Sequence, residues 1–398
     1  MYYATMLEHK LSFQFSALPP LSLYIHIPWC VRKCPYCDFN SHTVPEELPE
    51  KAYISALLSD LETALPKIWG RTVHAIFIGG GTPSLFSAEA FDSLFSELRA
   101  RLTLNAGAEI TLEANPGTVE QQRFAEYRDI GINRLSIGIQ SFNDDFLHTL
   151  GRIHSAKEAS NAVAAAHHAG FENFNLDLMY GLPGQSIQQA INDLQQAFSL
   201  APTHLSHYQL TLEPNTLFHY QPPANLPDND LSWDMQLACQ EELAKHGYDQ
   251  YEVSAYATPG RQCQHNLNYW QFGDYLGIGA GAHAKISLAQ PAGIERSWKH
   301  RQPADYIQRA TDRMQTGGTT QLSPQDAILE FAMNALRLNE GFSTELFEQH
   351  TGLSQNVLVT PLLHAESRGW IERSNHRIKA TPKGQQYLND LIGLFMED

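Results

Sequence analysis

Cys30, Cys34 and Cys37 stand within eight residues of one another, in a C-x-x-x-C-x-x-C spacing. Three thiolates at such short range can hold three irons of a four-iron cubane. The fourth iron then lacks a protein ligand and keeps a coordination position for a small molecule. A structural zinc site needs four closed ligands instead, and His26 or His42 could complete one. The position of the cysteines in a loop directly after a strand-like run, Leu21 to Ile27, favours the cluster. The chain has five cysteines, an odd number that sits badly with a disulfide framework.

Further along the chain, polar and glycine-rich features follow successive strand-like runs. Gly79-Gly80-Gly81-Thr82-Pro83 comes first, and its glycines permit close backbone approach to a ligand. Glu113 follows, with Asn115-Pro116 after it, then Gln140, then Asp177 ahead of Gly181-Leu182-Pro183-Gly184. Singly, each reads as an ordinary strand-end residue satisfying loop amides. Together with the cysteine loop they mark five successive strand ends, which in a parallel barrel form one rim.

A second constellation is His265-Asn266-Leu267-Asn268-Tyr269-Trp270. An imidazole is a good axial ligand for haem iron, and Tyr and Trp faces can pack on a porphyrin. Cys263 is a thiolate alternative. The competing reading is structural: His265 caps a turn while Tyr269 and Trp270 join a core, and both readings stay open. Cys239 and His283 read as buried or structural residues.

The elements that must position these groups alternate between strand and helix from residue 21 onward. Strands are expected at Leu21 to Ile27, Val73 to Ile78, Glu109 to Glu113, Arg134 to Ile139, Asn173 to Met179 and His204 to Leu212. Helical patterns lie between them, which implies parallel strands with right-handed crossovers. Six units suggest an α/β fold of the incomplete (β/α)6, TIM-like kind, with an open doubly wound sheet as the alternative. A tail (residues 1–20) precedes this barrel (21–220), and a mixed linker region (221–302) follows it. The last region (303–398) reads as helical and winged-helix-like, with wing strands near Gly369 to Glu372 and His376 to Lys379. Pro361 is expected to kink or restart its last helix. The would-be recognition helix carries only Glu366 and Arg368 as full charges, so it reads as a packing module.

With 43% hydrophobic residues and 18% charged ones, the 398-residue chain is globular rather than disordered. Its net charge of -16 repels phosphate backbones, so no nucleic-acid partner is expected. No apolar run is long enough to cross a bilayer, and the first twenty residues lack the features of a signal peptide. The expected compartment is the cytoplasm.

The cysteine spacing, with Tyr36 before the third cysteine, resembles the radical S-adenosylmethionine superfamily. The run Tyr24 to Cys30 is similar, more narrowly, to the oxygen-independent coproporphyrinogen III oxidase family and its haem-chaperone relatives. The resemblance implies a barrel of the radical S-adenosylmethionine type and a 4Fe-4S cluster. Its open iron would be chelated by the amino and carboxylate groups of S-adenosylmethionine, whose sulfonium a reduced cluster can cleave to a 5′-deoxyadenosyl radical. By the same resemblance Gly80, Gly81 and Thr82 would contact the methionine amine, and Glu113 the ribose or amine. Arg152 would pair with the carboxylate, and Gln140 and Asp177 would make remaining contacts. Tyr24 and Tyr36 would pack beside the cluster and adenine, with Thr211 a further candidate at the sixth strand end.

Two departures separate the chain from the oxidase pattern: Phe39 stands where a further Cys is expected, and fewer than thirty residues precede the cysteines. The H-N-x-x-Y-W run at His265 fits the HemW-like haem-chaperone branch. That branch implies haem as a ligand, apo-haemoproteins as partners, and a function without coproporphyrinogen oxidase activity. The oxidase remains the alternative, and radical cleavage is left open. Homodimerisation and membrane docking would suit a protein that delivers haem, but the sequence demonstrates neither.

Overall fold

The structure, a computed structural model, describes residues 11–374 and 377–396. The first ten residues of the tail and His376 of the expected wing lie outside the described residues.

Six strands carry the chain around the barrel: β1 (Leu21–Ile27), β2 (Thr72–Gly80), β3 (Thr103–Ala114), β4 (Arg134–Gln140), β5 (Phe174–Tyr180) and β6 (His204–Gln209). Their sequences are near-continuous apolar runs because both faces are covered, as parallel strands require. Every residue of β4 is buried, including Arg134, whose guanidinium lies 3.8 Å from the Glu109 carboxylate. Each strand pairs in parallel with the next. A doubly wound sheet would reverse strand order at a switch point. Here order follows the chain from β1 to β6, so the barrel reading holds.

The crossover helices start where their caps dictate. Ser155 and Glu158 form a reciprocal capping box before Ala156–His168, and Ser186 and Gln189 do the same before Ile187–Ser199. Their inward faces, with Ala162, Val163, Ala190 and Leu194, join one core with the strands.

Residues after 221 do more than link. The strands β7 (Asp249–Glu252) and β8 (Ala255–Ala257) extend the sheet beyond β6 in antiparallel fashion. On the other side β9 (Asp274–Ile278) pairs in parallel with β1. It is followed by β10 (His283–Ala289), β11 (Ala292–Lys299) and β12 (Thr316–Gln321), all antiparallel. Among the described residues the sheet thus has twelve strands, in the order β12-β11-β10-β9-β1-β2-β3-β4-β5-β6-β8-β7, and its two ends do not pair. Asp274 anchors the added strands: its buried carboxylate binds Lys285 Nζ at 2.8 Å and Arg71 at 2.8 Å.

The strand β12 belongs to this sheet, and a second core draws on Phe272 and Ile294 as well as on residues from Leu322 onward. Phe331, Phe342, Phe347, Leu362, Ile371 and Ile378 fill it. Helices Pro324–Ala335, Thr344–Thr351 and Val359–Ser367 surround a small sheet whose wing strands are Ile371–Ser374 and Arg377–Ala380. Pro361 sits in the first turn of the last of these helices. A 3-10 turn at Gln355–Leu358 precedes it, so the helix restarts where a missing N–H costs nothing.

Candidate functional site

Strand β1 ends at Ile27, and the chain turns at once into the cysteine loop. Trp29 and Cys30 pair with His42 and Thr43, which closes the loop on itself. Cys34 and Cys37 are tied by a bond from the Cys37 N–H to the Cys34 carbonyl oxygen, at 3.2 Å. All three thiols are half-buried, and they line one cavity of about 540 Å³ at the C-terminal rim of the barrel. Burial raises the pKa of Cys30 and Cys37.

The donor set fits a cubane better than a single ion. Among the described residues no three His, Cys, Asp or Glu side chains gather closely enough to hold one metal ion. A cubane places its irons apart and asks each thiolate for one of them. His26 is not available to complete a zinc site. Its Nδ1 pairs with Tyr24 Oη at 2.9 Å, and its Nε2 with the Asn40 carbonyl oxygen at 2.9 Å.

The glycine run after β2 wraps the same loop. Gly81 N–H donates to the Ile27 carbonyl oxygen at 2.8 Å, and Thr82 N–H to that of Trp29 at 2.7 Å. A Cβ on Gly81 would stand 2.5 Å from the Trp29 carbonyl oxygen, and one on Gly80 would stand 2.5 Å from the His26 ring. Gly80 also has a φ of +114°, which only glycine adopts without strain. Thr82 Oγ1 lies 3.5 Å from Cys30 Sγ.

Arg152 completes a polar web around the thiols. It donates to Asn115 Oδ1 at 2.7 Å and to the Gly138 carbonyl oxygen at 2.8 Å, with Nη1 3.8 Å from Cys34 Sγ. Its Nε is buried without a partner. Asn115 in turn donates to Thr82 Oγ1 at 2.8 Å. One guanidinium therefore spans the third strand end, the fourth strand and the cysteine loop, with a donor left over.

Two carboxyls face the same space from inside the barrel. Burial, with the Asp177 charge added, pushes Glu113 up to about 8, although the Gly80 N–H donates to it at 3.0 Å. Burial also raises Asp177, against bonds from Asn175 at 2.8 Å and Ser136 at 3.2 Å. Glu113 is thus mostly a neutral acid at pH 7, and a ligand cation placed beside it would draw the proton off.

Of the residues singled out in the sequence, Cys30, Cys34, Cys37, Tyr36, Gly80, Gly81, Thr82, Glu113, Gln140, Arg152, Asp177 and Thr211 all line this cavity. Tyr24 does not. It faces a second cavity of about 500 Å³, which Gly80 and Glu113 border from the other side. His265 also borders the second cavity, but it is only 8% exposed, with its ring centroid 5.1 Å from that of Phe77. Burial lowers its pKa to about 4, with Arg134 adding to the effect. Cys263 is buried against Glu109, and Cys239 is buried as expected. His283 departs from expectation: it is exposed, at the mouth of the second cavity.

Sequence reasoning missed Ser136, Ser206 and Tyr208, which also line the first cavity; Tyr208 Oη donates to Gln140 Oε1 at 2.8 Å. Their signal was present as polar residues at alternate positions of β4 and β6. Arg337, from the C-terminal unit, closes the cavity beyond them. It pairs with Glu252 at 3.0 Å and lies over the Trp270 ring at 4.3 Å. Nothing local in the sequence marks that long-range contact.

The chain resembles known proteins along most of its length. Residues 24–197 match the family model of the radical SAM superfamily, and residues 322–387 match that of the HemN C-terminal domain. A protein of Escherichia coli (strain K12) named heme chaperone HemW is 50% identical over 382 residues, 96% of this chain and 99% of that one. The protein of the same name from Haemophilus influenzae is 50% identical over 386 residues, again 96% and 99% of the two chains. That of Bacillus subtilis is 32% identical over 381 residues, 94% and 99%. Among solved structures, coproporphyrinogen III oxidase (HemN) from Escherichia coli superposes with a TM-score of 0.79, covering 95% of this chain and 90% of that one. At 24% identity that likeness speaks for the fold alone.

Proposed function

Because the chain belongs to the HemW family within the radical SAM superfamily, we propose that it binds haem and passes it to apo-haemoproteins, with a 4Fe-4S cluster and S-adenosylmethionine supporting the transfer. The observation that carries this reading is the pairing of two cavities across a common wall. One is lined by three thiols and a polar web, the other by aromatic rings and imidazoles, and Gly80 and Glu113 border both.

In this reading Cys30, Cys34 and Cys37 hold the cluster. Gly80, Gly81 and Thr82 receive the amino end of S-adenosylmethionine, with Glu113 as its counter-charge. Arg152 meets the carboxylate through its guanidinium, a planar fork suited to that geometry. Tyr36, Gln140, Asp177 and Thr211 line the remainder. Once bound, the cluster would supply an electron to the sulfonium. The protein's own part is to orient the ligand: Arg152 is already fixed by Asn115 and Gly138, so little side-chain freedom is lost on binding. Glu113 would release its proton as an ammonium group docks. No helix among the described residues is long and apolar enough to cross a membrane. In this reading delivery proceeds through protein contacts, and we expect it in the cytoplasm.

The test is transfer itself. Anaerobically reconstituted protein is loaded with haem and mixed with an apoglobin acceptor, and the acceptor's Soret band is followed. Growth of that band faster than from free haem supports the chaperone reading. Protein that takes up no haem would sink it.

A further inference from the structure

Three imidazoles border the second cavity, and only His283 presents unpaired ring nitrogens from an exposed side chain. His26 has both nitrogens engaged, by Tyr24 Oη and by the Asn40 carbonyl oxygen. His265 lies in the helix Gln264–Trp270, its ring tilted against Phe77 and Tyr24 with centroids 5.1 Å and 6.2 Å away. Neither of its ring nitrogens takes a hydrogen bond among the described residues, but Nδ1 is buried and the whole residue is only 8% exposed, which leaves little room for a porphyrin to approach. His283 differs in its exposure. It opens β10, its side chain is exposed, and neither ring nitrogen takes a hydrogen bond among the described residues.

Its position is also fixed. The backbone of His283 packs against Gly277 of β9 so closely that a Cβ there would collide with the His283 carbonyl oxygen. A ligand held on a strand in this way is placed more firmly than one on a loop. Partial burial, with Arg296 and Arg301 nearby, lowers the His283 pKa, which leaves a free lone pair at neutral pH.

The rest of the cavity offers aromatic faces and an arginine, beside the carboxyls of Asp38 and Glu113. Phe39 is 54% exposed at the border of the two cavities, and Tyr269 and Tyr275 stand 5.0 Å apart on the other side. Such faces pack on a porphyrin plane. Arg301 borders the same mouth and forms no ion pair among the described residues, whereas its neighbour Arg296 is committed to Glu330. A guanidinium without a protein carboxylate can meet one from a ligand.

The geometry points to His283 as the axial ligand of haem iron, with the porphyrin in the second cavity against Phe39 and Tyr269 and a propionate on Arg301. This assignment rests on the haem-binding reading and names the ligand which that reading leaves open. It also gives Phe39 a role: the side chain that stands in place of a cysteine forms the wall between cluster and haem.

The experiment is a haem titration of the full-length, cluster-reconstituted protein and its variants, read by the Soret band and by the spin state of the ferric iron. Iron content before haem addition reports whether each variant has folded around its cluster. His283→Ala should weaken haem binding about tenfold or more and change the Soret position, and added imidazole should restore the wild-type spectrum. Arg301→Ala should weaken binding without moving the Soret band, and His265→Ala should leave the band in place. Should His283→Ala lose its cluster, His283→Gln makes the same comparison. Wild-type protein without a Soret response would defeat the haem reading itself. A wild-type spectrum kept in the His283 variants, or lost only in His265→Ala, would overturn the assignment and leave that reading standing.

Discussion

The cysteine loop and the helix Gln264–Trp270 both carry ligand-type residues, and the fold treats them in opposite ways. In the loop, Cys30, Cys34 and Cys37 are half-buried around a cavity, with Thr82 and Arg152 within reach of two of their sulfurs. In the helix, the imidazole of His265 is packed at a tilt against the rings of Phe77 and Tyr24. A ligand type in a recognisable motif is therefore not enough. What separates the two regions is how far each ligand group stands out into its cavity.

Substitutions can break this contrast at its strongest point first. Replacing any one of the three cysteines by Ala should abolish assembly of a stable cluster, measured as iron and sulfide bound after anaerobic reconstitution. The matching change at His265 should leave iron content intact and lower the melting temperature, because it opens a hole beside Phe77 and costs about 2–4 kcal/mol. Equal loss of iron in both variants would erase the distinction.

The glycine wrap offers the next largest effect. Gly81→Ala forces a Cβ against the Trp29 carbonyl oxygen, which belongs to rigid backbone. It should cost about 1–3 kcal/mol in thermal or denaturant unfolding. Gly393→Ala, where nothing lies within 4 Å, should cost nothing measurable. Arg152→Lys keeps the charge and removes the fork that joins Asn115 to Gly138. Binding of S-adenosylmethionine, measured by calorimetry, should fall about tenfold, or ~1.4 kcal/mol.

The pH-dependent effect is the most diagnostic of the rim's electrostatics. The folded state holds the Glu113 proton up to about pH 8, above its usual 4.5. The unfolded chain gives that proton up earlier, so this carboxyl stabilises the fold least at high pH: stability is lost as pH rises from 4.5 towards 8. Glu113→Gln should remove that slope in the cluster-free protein, so its melting temperature gains on the wild type through this window. A gain that shrinks with rising pH would refute the assignment.

Much of the barrel was legible because its signals are local. Strand β1 and the strands ending at Gly80, Ala114 and Gln140 announce themselves as apolar runs closed by polar or glycine residues, and the cysteine spacing stands inside one loop. The added strands were not legible. Their pairing with β1 and β6 depends on contacts across more than two hundred residues in the case of Ser22 and Asp274, which no periodicity encodes. The same holds for Arg337, which reaches the first cavity from the C-terminal unit. The exposure of His283 was illegible for a related reason. A sequence names the imidazole but not its surroundings, and the burial of His265 and exposure of His283 follow from where β2 and β10 pass.

The most direct test of haem chaperone function is a haem titration of anaerobically reconstituted protein, run beside an assay with coproporphyrinogen III, S-adenosylmethionine and a reductant. A saturable Soret change and no protoporphyrinogen are expected. Protoporphyrinogen formed by protein that shows no haem binding would contradict that function.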